Sequence, residues 1–463
     1  MATGVATGVA AGNATAQATY LAVTGSLPLT VSAGALPGAP GWCGFGTDSR
    51  FAYGLSPGTQ PNVLKVTKLT DDGSVGTLRW ALLSSGPRVI VFEVSGTITL
   101  GSDIYVTEPY VTVAGQTAPS PGITIKGFSP QMLTHDWLLW HLRIRPGDGP
   151  PLLAQTADHD GPVSYYASSY NGVIANCSVS WAGHDLTGVY KAAPGAGFTY
   201  WRNIFSESLY RAANITPQGG SWSAGPPSSI NMLLKQPDAV TPTNVSVIQN
   251  LFAHNSDRNP EIQNLVNAHI INNVIFDWGK DANTYPWGVF IYWESGPVPT
   301  LVDVIGNRFI AGSPDARTVS PLVAVQTWNT QTGTAVYVSD SSIDSALQSV
   351  TAYAAHGTDP AVGSPPVSLT GITVRSSTGL EAFLLPKVGA RPADRDSVDT
   401  RIVAETLART GTVISSQNAV GGWPTLAINA RAYSVPASPH TVQASGYTAL
   451  EEQLQRDASS VEN

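Results

Sequence analysis

Charge is what this chain has least of. Only 12% of its 463 residues are Asp, Glu, Lys or Arg, about half the share of an average soluble protein. That argues against helical bundles, whose solvent faces are built from Glu, Lys and Arg. Cations are scarcer than anions, 24 against 32, and the formal net charge is −8. No basic footprint is left for a nucleic-acid partner. An acidic glycan is also repelled overall, so it would need a local basic patch. The two cysteines, Cys43 and Cys177, lie far apart with no CxxC pair or Cys/His cluster. That excludes a structural zinc centre, and they read as buried thiols. No run of 18 apolar residues exists, so no membrane span is expected. The opening MATGVATGVAAGNATAQ has no Lys or Arg ahead of a broken apolar stretch. It does not read as a secretory signal.

Gly, Pro, Ala, Thr and Val fill the space that charge leaves. Residues 1–40 are small and low in complexity, with ATGV at 2–5 repeated at 6–9. Such a segment buries little by itself, so it reads as a flexible leader or as an arm that orders only against a partner, such as other assembly proteins. From Val63 onward short β-branched runs recur, at 88–100, 104–114, 122–126 and 137–145, then at 172–181, 198–205, 244–253, 266–277 and 300–310. Similar units at spacings of about 20–50 residues indicate a solenoid.

A finer signature repeats within these units. It is an apolar residue, any residue, Asn, any residue and an apolar residue. It reads Trp201-Arg-Asn203-Ile-Phe205, Ile248-Gln-Asn250-Leu-Phe252, Ile271-Asn-Asn273-Val-Ile275 and Ile305-Gly-Asn307-Arg-Phe309, with Ile174-Ala-Asn176-Cys-Ser178 as a weaker copy. Asn tolerates left-handed backbone angles best among non-glycine residues. An Asn at each bend between strands is therefore expected, with its side chain hydrogen-bonding along the stack. Helices are expected at 73–84, capping the first coil, at 396–409 with Asp396 or Ser397 as N-cap and Gly411 as stop, and at 447–456. Residues 312–395 read as irregular. The chain thus divides into an arm (1–40), a β-helix (41–315) and an irregular C-terminal segment with two helices that packs on it (316–463).

Several segments resemble the bacterial pectate lyase family. They include VTKLTDDGSVGTLRWALLSSGPRVIVFEVSGTI (66–98), AGQTAPSPGITIKG (114–127), HLRIRPGD (141–148), CSVSW (177–181), NLFAHNSDRNP (250–260) and NNVIFDWG (272–279). The resemblance runs discontinuously from about residue 60 to 426. It implies an all-β, single-stranded right-handed parallel β-helix, and calcium-assisted β-elimination of polyuronides. It also implies that Arg258, from the RNP segment, is the base. The family's second Arg, three positions on, is Glu261 here. Its Asp-His before CSxSW is Ala175-Asn176, and its Asp-Glu after that Trp aligns with His184-Asp185. Asp185, with Asp158 or Asp160 from a neighbouring coil, is what remains of a calcium site, since calcium requires several oxygen ligands. Arg258 can equally pair with Asp257 or Glu261.

Lys191, Arg202 and Arg211 can clamp substrate carboxylates in place of calcium. Trp287 and Trp293, in the aromatic stretch 285–294, can stack on sugar rings. His184 and His254 are potential general acids. Two functions are then open. The first is a degenerate pectate-lyase-like protein, serving in carbohydrate recognition or as a spike or decoration component of a surface or virion. The second is an active polysaccharide lyase or depolymerase cleaving an acidic glycan, with Arg258 as base. Either places it outside the cell or on a virion surface.

Overall fold

A computed structural model describes residues 12–20, 23–31 and, from 42 onward, the chain apart from 55–57, 149–159, 166–167, 194, 211–229, 237–240, 265, 280–286, 293–298, 313–321, 328–332, 345–352 and 358. Within the arm, Gly12–Tyr20 pairs antiparallel with Val23–Val31. From Asn62 to Gly357 the chain winds into a right-handed parallel β-helix. Among the described residues its strands form three long parallel sheets of 10, 9 and 7 strands.

One rung illustrates the winding. Thr243–Ile248 lies in the first sheet, Leu251–Ala253 in the second and Glu261–Gln263 in the third, before Val266–Ile271 returns to the first. In Thr243–Ile248, Val245 and Val247 join the interior while Ile248 belongs to a separate cluster outside. This is the period-2 alternation of a strand covered on both faces. Inward residues stack in register along the axis, as Val179, Phe205, Phe252, Ile275 and Phe309 do in the second sheet. The rings of Phe205 and Phe252 lie 5.6 Å apart. Truncating one of these phenylalanines to Ala would cost about 3–5 kcal/mol.

The asparagine signature is a ladder. Asn203 Nδ2 donates to Asn250 Oδ1 at 3.0 Å, Asn250 Nδ2 to Asn273 Oδ1 at 3.1 Å and Asn273 Nδ2 to Asn307 Oδ1 at 3.1 Å. Each of those oxygens also accepts the backbone N–H of the Asn on the preceding rung. These asparagines are not the left-handed residues, contrary to expectation. The residues before them are: Arg202, Gln249, Asn272 and Gly306, at φ 52°, 58°, 55° and 67°. The bend is made by the first residue and its orphaned polar groups are satisfied by the second. The weaker copy follows the same rule one step displaced. Asn176 is the bend residue at φ 45°, and Cys177 holds the ladder position, donating its N–H to Asn203 Oδ1 at 2.8 Å.

Stacking continues past residue 315, where irregular structure was expected. Val323–Thr327, Ala335–Ser339, Ser342–Ile343 and Tyr353–Gly357 extend all three sheets. The helix Leu78–Leu83 is N-capped by Thr77. Ser397–Ala408 is capped by Asp396, whose side chain accepts the N–H of Asp399, and it ends at Arg409 in the left-handed region (φ 59°) rather than at Gly411. The last helix, Ala449–Glu462, outruns its expected bounds.

The C-terminal helices cover two outer faces. Leu450 and Leu454 pack with Phe51, Trp140, Trp201 and Ile248 outside the first sheet. Leu380, Leu384 and Ile402 pack with Ile204, Leu251 and Val274 outside the second. Outside the third sheet, the only hydrophobic cluster among the described residues is local: Trp287, Phe290 and Ala324, with Tyr292 beside them. No described helix is long and apolar enough to cross a membrane.

Candidate active site

The third sheet is entered after a second bend. The residues Trp181, Glu207, His254 and Asp277 turn it at φ 65°, 54°, 57° and 53°. The segment between His254 and Glu261 carries Arg258, itself at φ 60°. In the third sheet Gly188, Leu233 and Glu261 are register partners on successive strands. Asp185, just ahead of Thr187–Tyr190, therefore lies two rungs from Arg258. The long arginine side chain spans that gap. Arg258 Nη1 donates to Asp185 Oδ1 at 2.9 Å and to Oδ2 at 3.2 Å. Its Nε lies 2.8 Å from Glu261 Oε2, and its own N–H donates to Asp257 Oδ1 at 2.7 Å.

One rung further along, Asp160 Oδ1 lies 2.9 Å from His184 Nδ1 and accepts the N–H of Asp185 at 3.0 Å. The cluster is mostly shielded from solvent, with Asp160, Asp185, Asp257 and Glu261 all buried. Among the described residues, four carboxylates thus crowd one guanidinium and one imidazole.

Charge balance follows from that crowding. Burial opposes the charge on Arg258, but Asp185, Glu261 and Asp257 override it and hold the proton more firmly than in free arginine. Burial pushes the Asp185 carboxyl up, and Arg258 and His184 offset only part of this. Burial, then the neighbouring Glu261, pushes Asp257 up to about 7. Such a carboxyl exchanges its proton near neutrality.

Asp160, His184 and Asp185 bring one donor atom each within 4.8 Å of one another. Calcium requires six to eight oxygen ligands. Among the described residues this trio offers two carboxylates and a ring nitrogen, and both oxygens of Asp185 already receive Arg258. This donor set does not suit calcium.

Of the residues singled out in the sequence, Arg258, Asp185 and Asp160 meet in this cluster. Lys191 follows the third-sheet strand Thr187–Tyr190, and its Nζ lies 5.4 Å from the Tyr190 ring centre. Arg202 is elsewhere, at the bend between the first and second sheets, where its Nε donates to Gln249 Oε1 at 2.9 Å. Trp287 packs against Phe290 with ring centres 4.1 Å apart. His184 joins the cluster, whereas His254 is buried between Asp277 and Glu405. Asp158, Arg211 and Trp293 lie outside the described residues.

No family model matches the chain. It is similar to the "Probable pectate lyase C" of Aspergillus flavus, 30% identical over 404 residues, which are 84% of this chain and 82% of that protein. The chain belongs to the pectate lyase family. A protein of the same name from Neosartorya fischeri is 29% identical over 413 residues, covering 87% of this chain and 86% of its own. Among solved structures, jun a 1, the major allergen from cedar pollen, superposes with a TM-score of 0.54 at 16% identity, covering 75% of this chain and 92% of its own. These curated pectate lyases are fungal, so a bacterial affiliation draws no support from them. Within this pectate lyase fold, two groups escaped the sequence reading. Asp257 figured only as an ion-pair partner, although its place inside SDRN beside Arg258 marks it. Phe290 was passed over, although alternation in Val289-Phe290-Ile291-Tyr292 already points it outward.

Proposed function

We propose that the protein is an extracellular polysaccharide lyase that engages a uronide chain along the outer face of the third sheet and cleaves it by β-elimination. The observation that carries this reading is Arg258. It emerges from the AHNSDRNP segment at the one sheet without a C-terminal cover among the described residues, beside Asp185 and Asp257.

Cleavage requires loss of the proton on the carbon next to the sugar carboxyl, with negative charge building on the carboxyl oxygens. A guanidinium held charged by Asp185 and Glu261 is poorly suited to remove a proton. It is well suited to stabilise that developing charge. Asp257, with a proton affinity near neutrality, fits the base better. The two neighbours thus divide the work, Arg258 as electrostatic stabiliser and Asp257 as proton acceptor.

Product formation is read as ultraviolet absorbance of the unsaturated uronide during incubation with a panel of uronide polysaccharides. Arg258→Ala should lower the rate by about 100-fold or more. Rate should rise with pH through about 7 as Asp257 ionises.

A second reading, recognition without cleavage, is favoured by the two carboxylate partners that immobilise Arg258. It predicts polymer binding with no absorbance change on any polymer. A spike or decoration role is one form of that reading, and the fungal relatives lend it no support.

A further inference from the structure

The charge count at the site bears on which uronide it accepts. A de-esterified polyuronide carries one negative charge per ring. Among the described residues around Arg258, the carboxylates Asp160, Asp185, Asp257 and Glu261 outnumber the permanent cation, and the described donor set does not suit calcium as a neutralising ion. Unlike a surface pair, buried like charges at these separations are screened little by salt.

The floor beside Arg258 carries little charge and offers no excess of cations to a polyanion. Leu233, Glu261, Phe290 and Ala324 are register partners along one outward column of the third sheet. In the next column Tyr190, Lys235, Gln263 and Tyr292 follow one another. Along both described columns, Lys235 is the single cation and Glu261 the single anion.

We propose that this site takes a uronide whose carboxyl groups are masked as methyl esters, that it does so without a metal ion, and that Glu261 sets this preference. The inference rests on the lyase reading above and names the substrate class for it. The chemistry agrees. Removing the proton next to an ester carbonyl gives a singly charged enolate, whereas removing it next to a carboxylate gives a doubly charged one. The ester therefore needs one guanidinium where the carboxylate needs a metal as well. In the step itself a base takes the C5 proton, and the C5–H electrons form the C4=C5 double bond. The C4–O bond breaks, and its oxygen leaves with a proton from solvent. The ester stays intact and nothing is oxidised or reduced.

The test compares highly methyl-esterified with fully de-esterified polygalacturonan, each with calcium and with a chelator, followed by the absorbance of the unsaturated product. The expected result is a rate on the esterified polymer roughly tenfold or more above the other, unchanged by chelation. Faster cleavage of the de-esterified polymer, or a calcium requirement, overturns the proposal. If neither polymer yields product, the lyase reading fails. Affinity electrophoresis in the two polymers then decides the preference: stronger retardation by the esterified one upholds it, and equal or weaker retardation overturns it. Glu261→Gln should shift the ratio toward the de-esterified polymer by roughly fivefold, in rate or in retardation. An unchanged ratio in a folded variant removes Glu261 from the role.

Discussion

The outer faces of the second and third sheets both bury charged side chains, but they balance them differently. Outside the second sheet, Arg143 and Arg145 meet Asp396 and Asp399 at the start of the helix Ser397–Ala408, two cations against two anions. Arg145 Nη2 lies 2.7 Å from Asp399 Oδ1, and Ser178 donates to Asp399 Oδ2 at 2.6 Å. Against the effect of burial, Arg145 and Arg143 hold Asp396 well below the usual carboxylate range. Outside the third sheet, among the described residues, four carboxylates surround Arg258 and His184, and Asp257 is pushed up instead. Matched charges fasten one part of the chain to another. Mismatched charges raise the energy of the folded state, and such local cost is tolerated where it supports function.

The largest expected effect lies on the matched side. Arg145→Met strands Asp396 and Asp399 in a buried setting, and losing one partner of such a set costs about 4 kcal/mol. Urea unfolding should show that loss, with early release of residues 396–408 by hydrogen exchange. If Arg145→Met costs no more than a surface ion pair, the contrast between the two faces is false.

A second buried set sharpens the same contrast through pH. His254 Nε2 lies 3.3 Å from Glu405 Oε2, and its Nδ1 faces Asp277. Burial disfavours its charge, but hydrogen bonds to Asp277 and Glu405 raise its proton affinity to about 9. Because the folded value exceeds the unfolded one, this stability is fully present below about pH 6.5 and is lost as pH rises through 9. Its full size is about 3 kcal/mol. The difference in unfolding free energy between the wild type and His254→Gln should shrink across that window.

How much of this was legible beforehand depends on how local each determinant is. The rungs were, because β-branched runs and the asparagine signature are each written within a few residues. The ladder was located, but its bend residue was misplaced by one, since the backbone angle belongs to Arg202 or Gln249 while the visible side chain belongs to Asn203 or Asn250. Asp396 was legible as a cap. The helix end was not, because Arg409 takes a left-handed angle that nothing in its identity announces. The final rung escaped because residues 323–357 lack the asparagine signature. Arg258 and Asp185 were each nominated by resemblance, but their contact depends on the stacking of one intervening strand and on 73 residues of chain. Glu261 was noticed as a departure from the family pattern. That it closes on Arg258 itself, rather than facing substrate alone, required three dimensions.

The smallest expected effect lies on the mismatched side and has the opposite sign. Asp257→Asn keeps an oxygen for the Arg258 N–H and removes a carboxyl whose folded-state proton affinity is raised from 3.8 to about 7. For such a group the folded state holds its proton more tightly than the unfolded chain does. Wild-type stability therefore declines as pH rises from about 4 to 7, and the variant should escape that decline. The gain should be negligible near pH 3.5 and reach about 2 kcal/mol above pH 7. That is below the full linkage, because Arg258 also loses a carboxylate neighbour. Denaturant unfolding at both pH values checks it, and the same variant should lose eliminative activity if Asp257 is the base. A variant destabilised at pH 8 would place Asp257 among the matched, fastening charges and erase the distinction between the two faces.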